Sequence, residues 1–118
     1  MSLGATVASA EWVLLENNES GDRFYVDPAS KRRTGTVVRI WVAVNYSSPK
    51  VWNGKAYYSS RIYYQYDCAE RTSQGLQVSG FAGKMLTGDV IGSDTQPGNK
   101  SFIAPDTAGQ TLFHFACQ

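Results

Sequence analysis

The stretch that decides the fold is KAYYSSRIYYQYDC, residues 55–68, because its side chains alternate as they do in an extended strand. Its even-numbered positions include Tyr58, Ser60, Ile62, Tyr64, Tyr66 and Cys68. Its odd-numbered positions include Tyr57, Arg61, Tyr63, Gln65 and Asp67. The even set is the more apolar, so we expect it to face the core and to place Cys68 on the buried side of a sheet.

A second strand, Val37 to Tyr46, has the clearest alternation in the chain. One of its faces carries Ile40, Val42, Val44 and Tyr46, and the other carries Arg39, Trp41, Ala43 and Asn45. Pro49 and the Asn53-Gly54 pair are expected to break the chain, since these residues favour turns. The alternation then resumes at residue 55.

Four shorter runs complete the predicted sheet: Glu11 to Glu16, Arg23 to Val26, Arg71 to Phe81 and Gly88 to Gly92. The first two are typical of a hairpin around a polar turn. The third is predicted to return beside the 55–68 strand, with Leu76 and Val78 directed inward. The fourth is predicted to be a short last strand.

The end of the chain predicts one short helix. Pro105-Asp106-Thr107 is a plausible start that offers a capping side chain. The apolar positions i, i+4, i+7 and i+8 are Ala108, Leu112, Phe115 and Ala116. Gly109 and Thr111 weaken this helix, so we expect it to depend on packing. Laid across the sheet, it would bring Cys117 to Cys68.

These elements predict an α+β fold, mostly β, in which a single antiparallel sheet of about five to six strands carries a C-terminal helix on one face. Residues 11–118 are expected to form one domain, and residues 1–10 to be disordered or a cloning remnant. A bond between Cys68 and Cys117 would tether the helix and indicate an oxidising compartment. The alternative is two free buried thiols in a cytosolic protein.

Composition argues against several functional classes. Eleven basic residues against ten acidic ones do not favour binding to nucleic acid or to a membrane surface. The apolar runs, such as Trp12 to Leu15, are too short to span a bilayer. With no CxxC spacing and His114 as the single histidine, neither a metal site nor a cofactor is expected.

Enzyme chemistry finds little support in the residues. His114 lies three positions before Cys117, but such neighbours on one helix face are common by chance, and a disulfide would consume the thiol. The segment Gly80 to Lys84 lacks the spacing of a phosphate-binding loop. No catalytic residue is therefore predicted. An enzyme would require a deep polar pocket around His114.

A binding surface is the better supported site. If the two long strands are neighbours, their outward faces gather Arg39, Trp41, Arg61 and Tyr63, with Tyr57 near one end. Aromatic and arginine side chains are enriched at protein interfaces, and they also form cation–π pairs. The alternative is ordinary cross-strand pairing on a solvated face. The same sheet could instead form a homodimer.

A second candidate is the basic segment Lys31 to Gly35, which is expected to be an exposed turn. Its Arg32 and Arg33 would suit an acidic partner such as a sulfated glycan. Solvation alone is the alternative role for these charges.

Several motifs resemble those of the bacterial surface-adhesin protein E family. They are FYVDPAS at residues 24–30 with Arg32 and Arg33 following, RIWV at 39–42, YDCAER at 66–71, GSD at 92–94 and FAC at 115–117. The resemblance extends from about Trp12 to Cys117. It implies a small exported protein of a Gram-negative bacterium, with an antiparallel sheet, a C-terminal helix held by a Cys68–Cys117 disulfide, and adhesion to host matrix proteins.

The sequence therefore predicts a non-enzymatic protein-binding module, exported to the periplasm or the cell surface, whose signal sequence is absent from this chain. Its expected partner is a host extracellular-matrix protein. The alternative is a periplasmic enzyme inhibitor or an envelope accessory protein. In that case the segment Gly92 to Asn99 would insert into the partner.

Overall fold

The computed structural model describes residues 10–118, which form eight β-strands and one α-helix. In chain order these are β1 (Val13–Asn17), β2 (Arg23–Val26), β3 (Arg32–Thr34), β4 (Val37–Trp52), β5 (Lys55–Asp67), β6 (Thr72–Phe81), β7 (Val90–Asp94), β8 (Ser101–Phe102) and α1 (Ala108–Cys117). Single turns of 3₁₀-helix lie at Pro28–Ser30 and Lys84–Leu86. The prediction for residues 1–10 falls, apart from Ala10, outside the described residues.

The strands form one antiparallel sheet in the order β1-β2-β4-β5-β6-β7. The short strands β3 and β8 pair with β4 and β6 respectively. The predicted mostly β, α+β fold is thus confirmed. The strand predicted from Gly88 begins instead at Val90, because Gly88 has a φ of +78°, which is incompatible with an extended strand. Likewise β1 begins at Val13, where pairing with β2 begins, and not at Glu11.

The hairpin formed by β4 and β5 is the centre of the sheet. Ile40 pairs with Tyr64, and Trp41 pairs with Tyr63. Directly paired residues project from the same face of a sheet. The face that carries Ile40 and Tyr64 is called the helix face below, and the face that carries Trp41 and Tyr63 is called the outer face. The predicted division of these strands into two faces agrees with this register.

The turn of this hairpin has Asn53 and Gly54 at φ of 49° and 79°, which is the conformation that Asn-Gly favours in two-residue hairpins. The expectation that Pro49 breaks the strand is wrong, since β4 continues through Pro49 to the turn. The register shifts between Asn45 and Lys50. A proline is tolerated at such an irregularity because it has no N–H to contribute to the ladder.

The basic segment is a strand and not the exposed turn expected from its composition. Arg32 pairs with Arg39, and Arg33 pairs with Val38, so β3 extends the sheet beside the start of β4. The turn is confined to the residues that follow, where Gly35 has a φ of +62°. As a result, Arg32 and Arg33 project from opposite faces of the sheet.

The core lies between the helix face and α1. Its buried residues are Val26, Val38, Ile40, Val42, Val44, Tyr66, Leu112, Phe113 and Ala116. Leu112 and Ala116 belong to the predicted apolar stripe, whereas Phe115 is only half-buried. Burial of this apolar surface is the main force that holds the helix on the sheet. Burial also raises the pKa of the Tyr66 phenol, which therefore stays neutral.

Both ends of α1 are capped by side chains. Thr107 precedes the helix, and its hydroxyl accepts a hydrogen bond of 3.2 Å from the Gln110 N–H. At the other end, the Lys31 ammonium donates to the carbonyl oxygens of Phe115 and Gln118 at 3.0 and 3.1 Å. A cation in this position also interacts favourably with the helix dipole.

A disulfide joins Cys68, directly after β5, to Cys117, the last residue of α1. The Cα atoms are 5.7 Å apart and the two cysteines are separated by 49 residues in the sequence. Cys68 borders the buried core, as strand alternation predicted. The predicted tether between the sheet and the helix is confirmed.

The helix α1 lies over β1, β4 and β5. Aromatic rings cover the remaining part of the helix face. Tyr57 packs edge-to-face against Tyr46 and Trp52, at centroid distances of 5.8 and 6.0 Å. A Cβ atom added to Gly80 or Gly92 would lie 2.9 or 2.6 Å from the rings of Tyr57 and Trp52, so glycine is required beneath them. Tyr57 therefore does not lie on the outer face as expected, because the irregular register of β4 alters this end of the hairpin.

Candidate ligand-binding face

The middle of the outer face carries an aromatic pair. Trp41 on β4 lies directly opposite Tyr63 on β5, with ring centroids 4.7 Å apart and ring planes inclined by 29°. Such stacking stabilises a sheet by about 0.5–1.5 kcal/mol beyond the burial of area. Both side chains are only half-buried, so the pair also presents aromatic surface to solvent.

Arg61 lies beside this pair and is exposed. The carbon at the centre of its guanidinium is 5.2 Å from the Trp41 ring and 5.7 Å from the ring of Phe81 on β6. Cation–π contacts with two rings restrict the guanidinium without using its N–H groups. Arg61 is therefore held in a position from which it can donate hydrogen bonds to a ligand.

The other end of the face carries two arginines on adjacent strands. The Arg39 Nε–H donates a 2.9 Å hydrogen bond to Oε1 of Gln65, its cross-strand partner. Arg32 lies directly opposite Arg39 on β3, and donates at 2.9 Å to the carbonyl oxygens of Ala29 and Lys31. Like charges opposite each other in a sheet are destabilising. The three oxygen atoms that accept from this pair are uncharged, so these hydrogen bonds do not neutralise either guanidinium.

The predicted site residues are thus divided between the two faces. The structure brings together five of them on the outer face: Arg32, Arg39, Trp41, Arg61 and Tyr63. The sixth, Arg33, projects from the helix face, where its Nε–H donates to the Gly35 carbonyl at 3.1 Å. Arg32 therefore shares the outer face with the aromatic pair, and Arg33 lies on the opposite face.

Charge on the outer face is strongly one-sided. The strand register places four arginines there: Arg23, Arg32, Arg39 and Arg61. Among the described strand residues, Asp67 is the one carboxylate with a register position on this face, and it accepts hydrogen bonds of 3.0 Å from the N–H groups of Ala69 and Glu70. Four arginines thus share the strands of this face with one carboxylate, although the chain as a whole is nearly neutral.

A cleft of about 430 Å³ opens beside the aromatic pair. It is lined by Ala10, Trp12, Asp27, Trp41, Arg61, Gln77 and Leu86. Trp12, Trp41 and Leu86 supply apolar walls, and Arg61 supplies a charged donor. Asp27 supplies a carboxylate, whose Oδ1 accepts a 3.2 Å hydrogen bond from the Ala29 N–H. Apolar walls with a few placed polar groups are typical of a site that accepts a side chain or a small ligand.

The loop after β6 folds over the far end of the outer face. The Ser59 hydroxyl donates to the Gly83 carbonyl at 2.6 Å and accepts from the Leu86 N–H at 2.9 Å. The Met85 N–H donates to the Asn45 side-chain oxygen at 2.6 Å. Met85 and Leu86 have φ of 49° and 62°, a conformation that is costly for non-glycine residues. This loop buries Ser59 and covers this end of the face, whereas Arg32 and Arg39 at the other end are exposed.

Three residues of this face were missed by reasoning from sequence. The position of Phe81 could have been predicted from the sequence. Val78 pairs with Ile62 on the helix face, and Phe81 lies three residues further along β6, so alternation places it on the outer face. Trp12 lies just before β1 and outside any ladder, so no periodicity predicts its direction. Leu86 is delivered by a loop with positive φ values, which composition does not indicate.

A second, larger cleft of about 800 Å³ lies between the start of α1 and the turn after β1. Its floor includes Phe24, Tyr64 and Leu112, and burial raises the pKa of the Tyr64 phenol. At its rim, the Glu16 carboxylate accepts a 2.9 Å hydrogen bond from the Thr111 hydroxyl. The rim is acidic and already engaged with the helix.

The residues considered for catalysis are not assembled into a site. His114 is exposed on α1, and Cys117 is consumed by the disulfide. Within residues 10–118, no three His, Cys, Asp or Glu side chains are grouped so as to hold a metal ion. In the same range, no helix is both long and apolar enough to cross a membrane.

The segment from Gly92 to Asn99 combines the end of β7 with the loop that follows. Gly98 anchors this loop, since its N–H donates to the Gly75 carbonyl at 2.9 Å and its carbonyl accepts from the Gln74 amide at 2.9 Å. The loop is exposed, and its insertion into a partner stays a prediction.

These features define a small disulfide-tethered sheet domain with a basic, aromatic face. The chain belongs to the surface-adhesin protein E family, whose model matches residues 12–118. The resemblance drawn from the motifs is confirmed. No curated protein matches the sequence.

Solved structures of Haemophilus influenzae protein E share the fold. Crystal form II of that protein superposes with a TM-score of 0.71 at 17% identity, and the alignment covers 99% of this chain and 94% of that one. Protein E from non-typeable Haemophilus influenzae gives a TM-score of 0.66 at 18% identity, with coverages of 99% and 81%. At this identity the likeness establishes the fold and not the ligand.

Proposed function

We propose that this chain is an exported bacterial surface protein that binds a protein partner through its outer face and performs no catalysis. Host extracellular-matrix proteins are the expected class of partner. Membership of a family of surface adhesins supports this assignment. The disulfide supports an oxidising location outside the cytoplasm.

The observation that carries the proposal is the half-exposed stack of Trp41 and Tyr63 with the Arg61 guanidinium beside it. Tryptophan, tyrosine and arginine are the residues most enriched among those that dominate binding energy at protein interfaces. Here they lie together at the centre of a face, flanked by a cleft. The opposite face of the sheet is occupied by α1 and by the aromatic rings over Gly80 and Gly92.

The test compares two variants that lose the same ring types from opposite faces. Trp41→Ala with Tyr63→Ala removes the outer-face stack, and Trp52→Ala with Tyr57→Ala removes an aromatic pair from the helix face. Each purified protein is titrated against a panel of purified host matrix proteins by biolayer interferometry. Loss of an interface hot spot of this kind is expected to weaken binding by at least tenfold, or about 1.4 kcal/mol.

The second variant serves as the matched control, because it keeps the outer face intact. Thermal unfolding of both variants is measured to check that each is folded at the assay temperature. Binding that survives loss of Trp41 and Tyr63, but is lost with Trp52 and Tyr57, would place the interface on the other face and contradict the proposal.

A further inference from the structure

We infer that the outer face takes an acidic, extended segment of its protein partner, in which two carboxylates flank one apolar side chain. The inference rests on the proposed function and adds to it the chemistry of the ligand. It is argued from the excess of positive charge on the face, the spacing of its arginines, and the walls of the cleft.

The charge argument begins at the opposed pair Arg32 and Arg39. Two guanidinium groups directly across a ladder repel each other, and Asp67, which lies two residues beyond Gln65 on the same face, is engaged by the N–H groups of Ala69 and Glu70. A carboxylate placed between them would remove the repulsion and accept charge-assisted hydrogen bonds from both. The Arg39 Nε–H is already held by Gln65, which leaves the terminal nitrogens for the ligand.

The spacing argument concerns the second positive centre, at Arg61. Arg39 pairs with Gln65, and Arg61 lies four residues from Gln65 along β5. At about 3.3 Å per residue, the backbone positions of Gln65 and Arg61 are therefore about 13 Å apart along β5. An extended ligand has the same rise, so its side chains i and i+4 can reach both arginines. Its side chain i+2 then faces the aromatic pair, Trp41 and Tyr63.

The cleft distinguishes a polypeptide from another polyanion. Its apolar walls, Trp12, Trp41 and Leu86, stand next to Arg61. An acidic peptide supplies an apolar side chain for these walls together with a carboxylate for the guanidinium. A sulfated glycan supplies anions and hydroxyl groups but no apolar side chain. Apolar walls beside a cation therefore favour the peptide.

The probe is the synthetic peptide Ser-Glu-Thr-Phe-Thr-Glu-Ser, titrated into nitrogen-15-labelled protein and followed by two-dimensional NMR. The indole N–H resonances of Trp12 and Trp41 are expected to shift. The indole of Trp52, which packs over Gly92 on the helix face, is an internal control that should not move. Replacing both glutamates of the peptide by glutamine is expected to weaken binding about tenfold, since charge-assisted bonds are lost.

Variants of the protein test the same contacts from the other side. Arg39→Gln and Arg61→Gln are each expected to weaken binding of the glutamate peptide about tenfold. Arg33→Gln is the matched control, because it removes the same charge close to Arg39 but from the helix face. It should leave the affinity unchanged.

The inference is overturned if the glutamate and glutamine peptides shift the spectrum equally, or if neither shifts it at about 1 mM. It is also overturned if a heparin fragment binds the same residues more tightly than the peptide does. Either result would overturn only the chemistry of the ligand. The proposed function is retained if the Trp41→Ala, Tyr63→Ala variant still loses binding to matrix proteins. Matrix binding that is unaffected by that variant overturns the proposed function itself.

Discussion

Lys31 links the first third of the chain to its last helix. Its ammonium donates to two of the carbonyl groups that the end of α1 leaves without helical partners, and it lies 5.3 Å from the Phe115 ring centroid. The sequence presented Lys31 only as part of a basic segment. Its role depends on a contact across 84 residues, which no local pattern encodes.

Replacing Lys31 by glutamine is expected to lower the free energy of unfolding by about 1 kcal/mol, because hydrogen bonds and a favourable dipole interaction are lost. Denaturant unfolding monitored by circular dichroism measures the change. Lys100→Gln is the control, since Lys100 is exposed in a loop. Equal effects of the two substitutions would show that Lys31 acts only through net charge.

Gly92 is constrained by the ring that covers it. Ala at this position is expected to destabilise the fold by about 1–3 kcal/mol, because the added Cβ would lie 2.6 Å from the Trp52 ring and force it to move. In a Trp52→Ala background the same substitution should be nearly neutral, which a double-mutant cycle measures. A cost that is the same in both backgrounds would mean that the strand backbone, and not the ring, requires glycine.

At the scale of elements, α1 is a short helix with little intrinsic stability. It has ten residues, among them Gly109 and Thr111, and isolated helices of this length are marginal in water. Its position is secured by three different contacts: burial of Leu112 and Phe113, the Lys31 cap, and the disulfide.

Replacing both cysteines, Cys68→Ser with Cys117→Ser, is expected to reduce the free energy of unfolding by about 4 kcal/mol, the chain-entropy value for a loop of this size. The loss should be seen first at α1, as faster amide hydrogen exchange over residues 108–117 than in β4 and β5. Exchange over residues 108–117 that is accelerated no more than exchange in β4 and β5 would show that the bond acts only on the unfolded chain and is not a local tether of the helix.

Asp22 joins the β1–β2 turn to the irregular part of β4. A hydrogen bond from the Ser47 N–H lowers the pKa of this carboxyl from its ordinary value of 3.8, and burial opposes the shift. A folded-state pKa below the unfolded one stabilises the fold above the unfolded pKa, and this contribution is lost as pH falls through the folded value.

The stability difference between the natural chain and Asp22→Asn should therefore be constant above pH 3.8 and shrink below it. Urea unfolding between pH 2 and pH 7, a range that brackets ordinary carboxyl titration, measures the difference. Parallel profiles down to the acid limit would show that the carboxylate charge of Asp22 does not contribute.

The elements were largely predictable because residues 37–45 of β4 and 59–67 of β5 alternate regularly and because their two faces carry distinct residue types. The continuation of β4 through Pro49 was not predictable, since local preference favours a break and only the register shift against β5 accommodates it. For the site, the alternation of side chains along the two strands was enough to place four residues on one face: Arg39, Trp41, Arg61 and Tyr63. It also misplaced Tyr57, because alternation fails across an irregular register.

For the whole molecule, the two faces of the sheet differ in burial and in charge. Its helix face is covered by α1 and by aromatic rings on glycine, and it holds the buried core. Its outer face keeps half-exposed rings and opposed arginines, which a fold selected for stability alone would replace. The binding role proposed above assigns the partner to the outer face.

Hydroxyl-radical footprinting of the chain bound to a matrix protein tests this account most directly, since it reports which rings become covered without any substitution. We predict that Trp41 and Tyr63 are protected from oxidation in the complex, while Trp52 and Tyr57 are oxidised as in the free protein. Protection of Trp52 and Tyr57, with Trp41 and Tyr63 unchanged, would contradict the assignment of the outer face as the binding surface.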